Sequence, residues 1–187
     1  VAHECVKKSV KKVFYSSSAC MYPAYNQEDP DNPKCNEDSA YPAMPDSEYG
    51  WEKLFSERLY FAFNRNYNLD VRVARYHNIF GPEGTYDGGR EKAPAALCRK
   101  ICLAKKNNIN KIEVWGDGEQ TRSFMFIDDC LEGTKKIFNS NLKDPYNLGS
   151  DEQVSINQMI SIIEDIADYK VEKVYQLDKP KGVRGRS

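Results

Sequence analysis

Histidine is scarce in these 187 residues, with only His3 and His77, and no two cysteines stand in a C-x-x-C. Zinc-site spacing is therefore absent, and no metal site is expected. Neither sign of charge dominates: 27 Lys and Arg face 28 Asp and Glu. With no basic excess to form a stripe, neither nucleic acid nor a membrane surface is an expected partner. No apolar run approaches the roughly 20 residues of a membrane-spanning helix, and no signal peptide is visible. Internal repeats and low-complexity tracts are missing. So is any G-x-x-G-x-x-G after a strand-like run, the phosphate-binding turn of dinucleotide folds. The chain opens VAHECVKK, without Met and already helix-like, and closes GVRGRS, so it reads as an excerpt of a longer protein. Its six scattered cysteines, Cys5, Cys20, Cys35, Cys98, Cys102 and Cys130, fit free thiols in a reducing, cytoplasmic setting.

What is present alternates. VFYSSSACMYP (13–23) follows a Lys-rich helix end, and residues 12–18 read as a buried strand dissolving into small hydroxyl residues. Five prolines at 23, 30, 33, 42 and 45 make 22–46 a long loop, and loops of that length are usually functional. The stretch PDSEYGWEKLFSERLYFAFNRNY predicts a helix capped by Asp46 or Ser47, with Trp51, Leu54, Phe55, Leu59 and Phe63 as its buried stripe. DVRVARY (70–76) is a β-branched strand, and a Gly- and Pro-rich loop follows it. Further helices are expected at about 93–105, from Asp128 to about Phe138, and over 156–166. Strands are expected at 112–115, 123–127, 146–150 and 173–177, with GDG (116–118) as a turn. This alternation predicts an α/β fold with a mostly parallel sheet, in a length that suits one ordinary domain.

The sharpest local feature is Tyr49-Gly-Trp-Glu-Lys53. Four residues apart on one helix, Tyr49 and Lys53 project from the same face. An ammonium beside a phenol favours the phenolate, which can act as a general base on a hydroxyl. Alone the spacing is common and usually marks an amphipathic face. With the strand-end serines upstream and R-x-H-N-x-F-G-P downstream, it carries more. YSSSACMYP, YGWEK, RYHNIFGPEGTYDGGREKAPAALCRK, WGDGEQTRSF and GVRGRS together resemble the extended short-chain dehydrogenase/reductase superfamily, the nucleotide-sugar epimerases and dehydratases. The resemblance implies the C-terminal half of a Rossmann-type, doubly wound, mostly parallel sheet with a smaller α/β substrate domain. Residues 1–80 would belong to the NAD-binding part and 81–187 mainly to the substrate part, with 123–150 returning to the first. Ser18, Tyr49 and Lys53 match the catalytic set, Tyr49 and Lys53 also touching a tightly bound NAD. The missing glycine fingerprint would lie upstream of residue 1.

Within the superfamily the likeness points to the branch that epimerises GDP-mannose at C3 and C5 through a transient 4-keto intermediate, giving GDP-L-galactose and GDP-L-gulose. By that likeness Cys20 and Lys92 are the epimerisation pair, thiol as base and ammonium as acid. The residue types suit the task, since a thiol near positive charge is a competent base and a desolvated lysine moves toward neutrality. The bland alternatives are a small buried hydrophobe and a solvated surface charge. A lysine at a helix start opposes the helix dipole, which hints at a task for Lys92. Ser18, Ala19, Cys20, Asn78, Glu91, Lys92 and Ala93 match sugar contacts. Lys100, Gln120, Thr121, Arg122 and Arg186 match positions holding the nucleotide diphosphate, where guanidinium forks pair with phosphate oxygens. A C4-epimerase or a 4,6-dehydratase is the alternative. A dehydratase usually has acidic residues where Ala19 and Cys20 stand, and a C4-epimerase would not need Cys20 together with Lys92. A non-catalytic NAD-sensing relative typically loses the Tyr or the Lys. The superfamily's usual assembly, a homodimer, is expected of the full-length protein.

Overall fold

The computed structural model describes residues 1–31, 33–179 and 182–186. A short helix, α1 (Ala2–Lys7), leads into strand β1 (Lys12–Ser18). A 3-10 turn at Ala19–Met21 follows at once, and two more (Ala24–Gln27, Glu37–Ala40) order the proline-rich loop. Helix α2 (Glu48–Tyr67) starts at Ser47, whose side chain accepts from the Gly50 amide, as a cap should. It ends at Asn68 in the left-handed conformation, from which β2 (Asp70–Tyr76) runs. The order continues β3 (Asn78–Phe80), α3 (Ala93–Lys106), β4 (Lys111–Trp115), β5 (Thr121–Phe126), α4 (Ile127–Asn139), β6 (Tyr146–Leu148), β7 (Gln153–Ser155), α5 (Ile156–Ala167), β8 (Glu172–Gln176) and β9 (Gly185–Arg186).

Three sheets result. β1, β2 and β6 lie side by side and parallel, with Ser18 opposite Tyr76 in register. β2 is nearly all buried, so Val71, Val73 and Ala74 pack on both faces, the pattern of a covered parallel sheet. β5 pairs in parallel with β3 and β9 and antiparallel with β7. β4 and β8 form a parallel pair. The latter is covered by α3 and α5 through Leu97, Ile101, Ile112, Val114, Ile160 and Ile163. The GDG turn is confirmed, with Gly116 and Gly118 both at φ 78, a backbone state L side chains rarely adopt.

The expected helices and most strands stand where the pattern put them. β3, β7 and β9 were not expected; two or three residues long, they carry no periodicity to read. The stripe predicted for α2 is wrong in most of its members. Leu54 is 3% exposed, but Trp51, Phe55 and Leu59 are 49%, 67% and 43% exposed, and Phe63 is half-buried. The helix buries Gly50, Leu54 and Glu57 instead. Glu57 is inside because Arg75 of β2 meets it at 2.9 Å, and both side chains are almost fully enclosed. The same guanidinium donates to the Tyr22 hydroxyl at 3.0 Å and the Glu37 carbonyl at 2.9 Å, so one buried cation orders the proline-rich loop against helix and sheet. Burial pushes the Tyr22 phenol up to about 12, which keeps it a neutral donor to Asn147 at 2.7 Å. No helix is long and apolar enough to cross a membrane among the described residues, and no cluster of His, Cys, Asp and Glu there could hold a metal ion.

Candidate active site

The carboxyl end of β1 delivers Ser18, which is buried, and the next 3-10 turn delivers Cys20. Ser18 caps that turn: its Oγ accepts from the Cys20 amide at 3.2 Å, which leaves its own hydroxyl proton to donate elsewhere. α2 brings Tyr49 and Lys53 to the same strand end. Lys53 Nζ donates to the Ser16 carbonyl at 3.1 Å and lies 5.4 Å from the centre of the Tyr49 ring. Tyr49 is 52% exposed, so its phenol is presented outward. Gly50 makes the approach possible. A Cβ there would lie 2.2 Å from the Cys20 carbonyl oxygen, so only glycine lets the helix start this close to the thiol-bearing turn.

β9 closes the site from the far end of the chain. Arg186 Nη1 donates to Cys20 Sγ at 3.0 Å, its Nε donates to Gln27 Oε1, and its Nη2 faces Asp46 at 3.5 Å. Arg122 of β5 stands nearby, donating to the Thr121 and Val183 carbonyls at 2.6 and 2.8 Å. Burial, with the neighbouring charge of Arg186, holds the Arg122 guanidinium down to about 10, while Asp46 and Cys20 act in the opposite sense. Two crowded guanidiniums with one carboxylate between them favour a bound anion.

A second group lines a cleft of about 540 Å³ between α3 and β4: Glu91, Ala93, Lys100, Gln120 and Arg122 all border it. Lys100 Nζ holds the Glu113 carbonyl at 2.8 Å. Gln120 donates to the Trp115 carbonyl at 3.1 Å, and its buried Oε1 has no partner among the described residues. Thr121 Oγ1 is spent on the Pro30 carbonyl, tying β5 to the proline-rich loop. Asn78 Nδ2 is spent on the Ser123 carbonyl at 3.1 Å, which leaves its Oδ1 to face a ligand. Lys92 is exposed at the N-cap of α3, makes no capping bond and does not border the cleft. Ala19 is 1% exposed and its methyl belongs to the core with Met21, Tyr22 and Leu54, so only its backbone can meet a ligand.

Sequence reasoning missed three residues that shape this site. Arg99 pairs with Asp87 at 3.3 Å and Glu91 at 3.2 Å, bracing the glycine-rich loop on α3. Bonds from backbone amides and from Arg99 hold the Glu91 carboxyl below the usual carboxylate range. Gln27 and Asp46 flank Arg186. Gln27 carried no signal beyond lying in the proline-rich loop, and Asp46 was read only as a candidate helix cap.

A parallel sheet with a serine at one strand's carboxyl end, met by a tyrosine and a lysine from the neighbouring helix, is the architecture of the short-chain dehydrogenase/reductase class. The chain belongs to the NAD dependent epimerase/dehydratase family, whose pattern matches residues 1–149. Over 178 residues it is 44% identical to GDP-mannose 3,5-epimerase from Arabidopsis thaliana, a match spanning 95% of this chain and 46% of that protein. GDP-mannose 3,5-epimerase 1 from Oryza sativa subsp. indica is 46% identical over the same shares. The chain thus spans about half the length of these curated relatives. Among solved structures, UDP-N-acetylglucosamine 4-epimerase from Methanobrevibacter ruminantium M1 superposes with a TM-score of 0.81 at 25% identity, over 97% of this chain and 55% of that one.

The family's cofactor is NAD. The residues here fit part of its site. Tyr49 and Lys53 offer an exposed phenol and an ammonium at the carboxyl edge of a parallel sheet, where such folds bind ligands. The glycine-rich turn for the cofactor's phosphates is not within this sequence.

Proposed function

We propose that the intact protein epimerises GDP-mannose at C3 and C5 through a transient ketone at C4, giving GDP-L-galactose and GDP-L-gulose. One observation carries the reading: Cys20 leaves β1 two residues after Ser18 and takes a guanidinium hydrogen bond on its sulfur. A thiol so placed is a proton acceptor beside a hydroxyl that can hold a sugar oxygen. The likeness to GDP-mannose 3,5-epimerases supports the choice of sugar.

The hydrogens on C3 and C5 are not acidic until C4 becomes a ketone, when both carbons lie alpha to one carbonyl. When bound, NAD supplies a reversible two-electron oxidation of C4. Tyr49, beside the Lys53 ammonium, takes the proton of the C4 hydroxyl, and Ser18 donates to the C4 oxygen. Cys20 removes a proton from the carbon next to the carbonyl, and Lys92 returns one on the opposite face of the ring. Lys100, Arg122 and Arg186 neutralise the diphosphate, with Gln120 and Thr121 beside them. Asn78, Glu91, Ala93 and the Ala19 backbone bound the hexose. Residues 1–80 serve the cofactor and 81–187 mainly the GDP-sugar, with 123–150 returning to the first part. The exposed row Trp51, Phe55 and Leu59 on α2 supports a homodimer, since a second copy of the same helix would cover it. All six cysteines are free, which agrees with a cytoplasmic setting.

The test is isotope exchange. The intact protein with GDP-mannose and NAD in deuterated water is expected to place deuterium at C3 and at C5 of the recovered sugar, read by NMR. Conversion confined to C4, without solvent label, overturns the reading.

A further inference from the structure

Gln27 lies in the proline-rich loop, 159 residues before Arg186, and is 1% exposed. An amide buried so completely needs all its partners. Its Nε2 is bound twice, to the Tyr22 and Pro23 carbonyls, each at 3.2 Å, which fixes the direction of the group. Its Oε1 then points one way, and what it accepts is Arg186 Nε. A guanidinium is a rigid fork, so fixing Nε fixes the other two nitrogens. Nη1 falls on Cys20 Sγ at 3.0 Å, and Nη2 faces Asp46 at 3.5 Å, buried and without a hydrogen-bond partner.

We propose that Gln27 is a positioning residue: it aims Arg186 so that one arm holds the Cys20 sulfur while the other faces the Asp46 carboxylate. The proposal rests on the reading of Cys20 as the base. It goes beyond a plain phosphate contact for Arg186, because the cation bonded to the sulfur sets the reactivity of the thiol. The charged groups around Cys20 are Arg186, Arg122 and Asp46. Of the two guanidiniums, the one hydrogen-bonded to the sulfur is the one Gln27 holds. A lysine at 186 would keep the charge and lose the fork.

Site-resolved alkylation tests this without reference to turnover. The intact protein is treated with iodoacetamide at pH 7.5, and the rates at Cys20 and Cys98 are followed by peptide mass spectrometry. Cys98 is exposed on α3 and serves as the internal reference. In Gln27→Met and in Arg186→Lys the Cys20 rate, relative to Cys98, is expected to fall about tenfold as the sulfur loses its guanidinium hydrogen bond. A structural defect has the opposite sign, since loosening the fold speeds alkylation of Cys20 and of the buried Cys35 and Cys130. An unchanged or faster Cys20 in Gln27→Met overturns the proposal. Should Gln27→Met not fold, Arg186→Lys decides alone, and a native Cys20 rate there overturns it equally. Absence of C5 exchange with a tenfold alkylation effect would count against the epimerase reading and leave the positioning intact.

Discussion

At the scale of single residues, His77 is the clearest case of a group whose environment sets its protonation. It directly follows β2, is 9% exposed, and neither ring nitrogen has a hydrogen-bond partner among the described residues. Burial lowers its affinity for a proton, with the charge of Arg186 acting in the same sense and Asn147 and Glu37 against it. The folded protein therefore holds the imidazole neutral. In the unfolded chain it titrates near about 6.5. Below that pH the unfolded state binds the extra proton, so stability is lost as pH falls from about 6.5 toward the lower folded value. Thermal melts of the intact protein are expected to show a midpoint that falls as the pH is lowered below about 6.5. His77→Phe should flatten that slope, and an equal slope in the variant would assign the effect elsewhere. The other site residues divide by what a side-chain type can announce. Ser18, Tyr49, Lys53 and Cys20 could be nominated only because several motifs together resemble one family, since spacing alone would have marked an amphipathic face. Gln27 and Asp46 could not, because their role depends on Arg186 arriving from the other end of the chain.

At the scale of elements, α2 shows why apolar spacing misleads. The row at 51, 55 and 59 is as regular as any core stripe, yet the helix buries 50 and 54 against the turn after β1 and the proline-rich loop, and 57 against β2. A charged residue on the buried face, Glu57, hides that face from any hydrophobic reading, and it is there because Arg75 compensates it. Gly50, on the same face, sets how near the helix comes to the thiol-bearing turn. Gly50→Ala is expected to force the Cys20 carbonyl away and destabilise the fold by about 1–3 kcal/mol, the range for overpacked sites. Denaturant unfolding checks the energy. Label uptake at C5 should drop further than C4 oxidation, because the displaced backbone carries Cys20 and not Tyr49. The short strands β3, β7 and β9 could not be seen in advance for a different reason: their partners, not their own residues, define them.

At the scale of the whole molecule, the α/β alternation settled the class early, while the grouping into three sheets did not follow from it. β5 is the hub, since it receives β3 and β9 in parallel and β7 antiparallel, and neither local pattern nor loop length encodes that. Contiguous exposed apolar side chains of this size commonly mark an interface. Phe55→Lys places a charge in the middle of the α2 row and touches no site residue. The intact variant is expected to elute as a monomer in size-exclusion chromatography with light scattering, with its thermal midpoint lowered as the partner's contribution is lost. An unchanged dimer mass would place the interface on another face.

The link between Cys20 and Arg186 closes a loop of 166 residues, among the longest-range contacts in the chain. Closing long loops is entropically slow, and contacts of this separation form late. During synthesis the thiol emerges 166 residues before Arg186 and waits, without its cation, until β9 has left the ribosome. The thiol proposed as the base therefore meets its cation only after β1, β2 and β5 have been made.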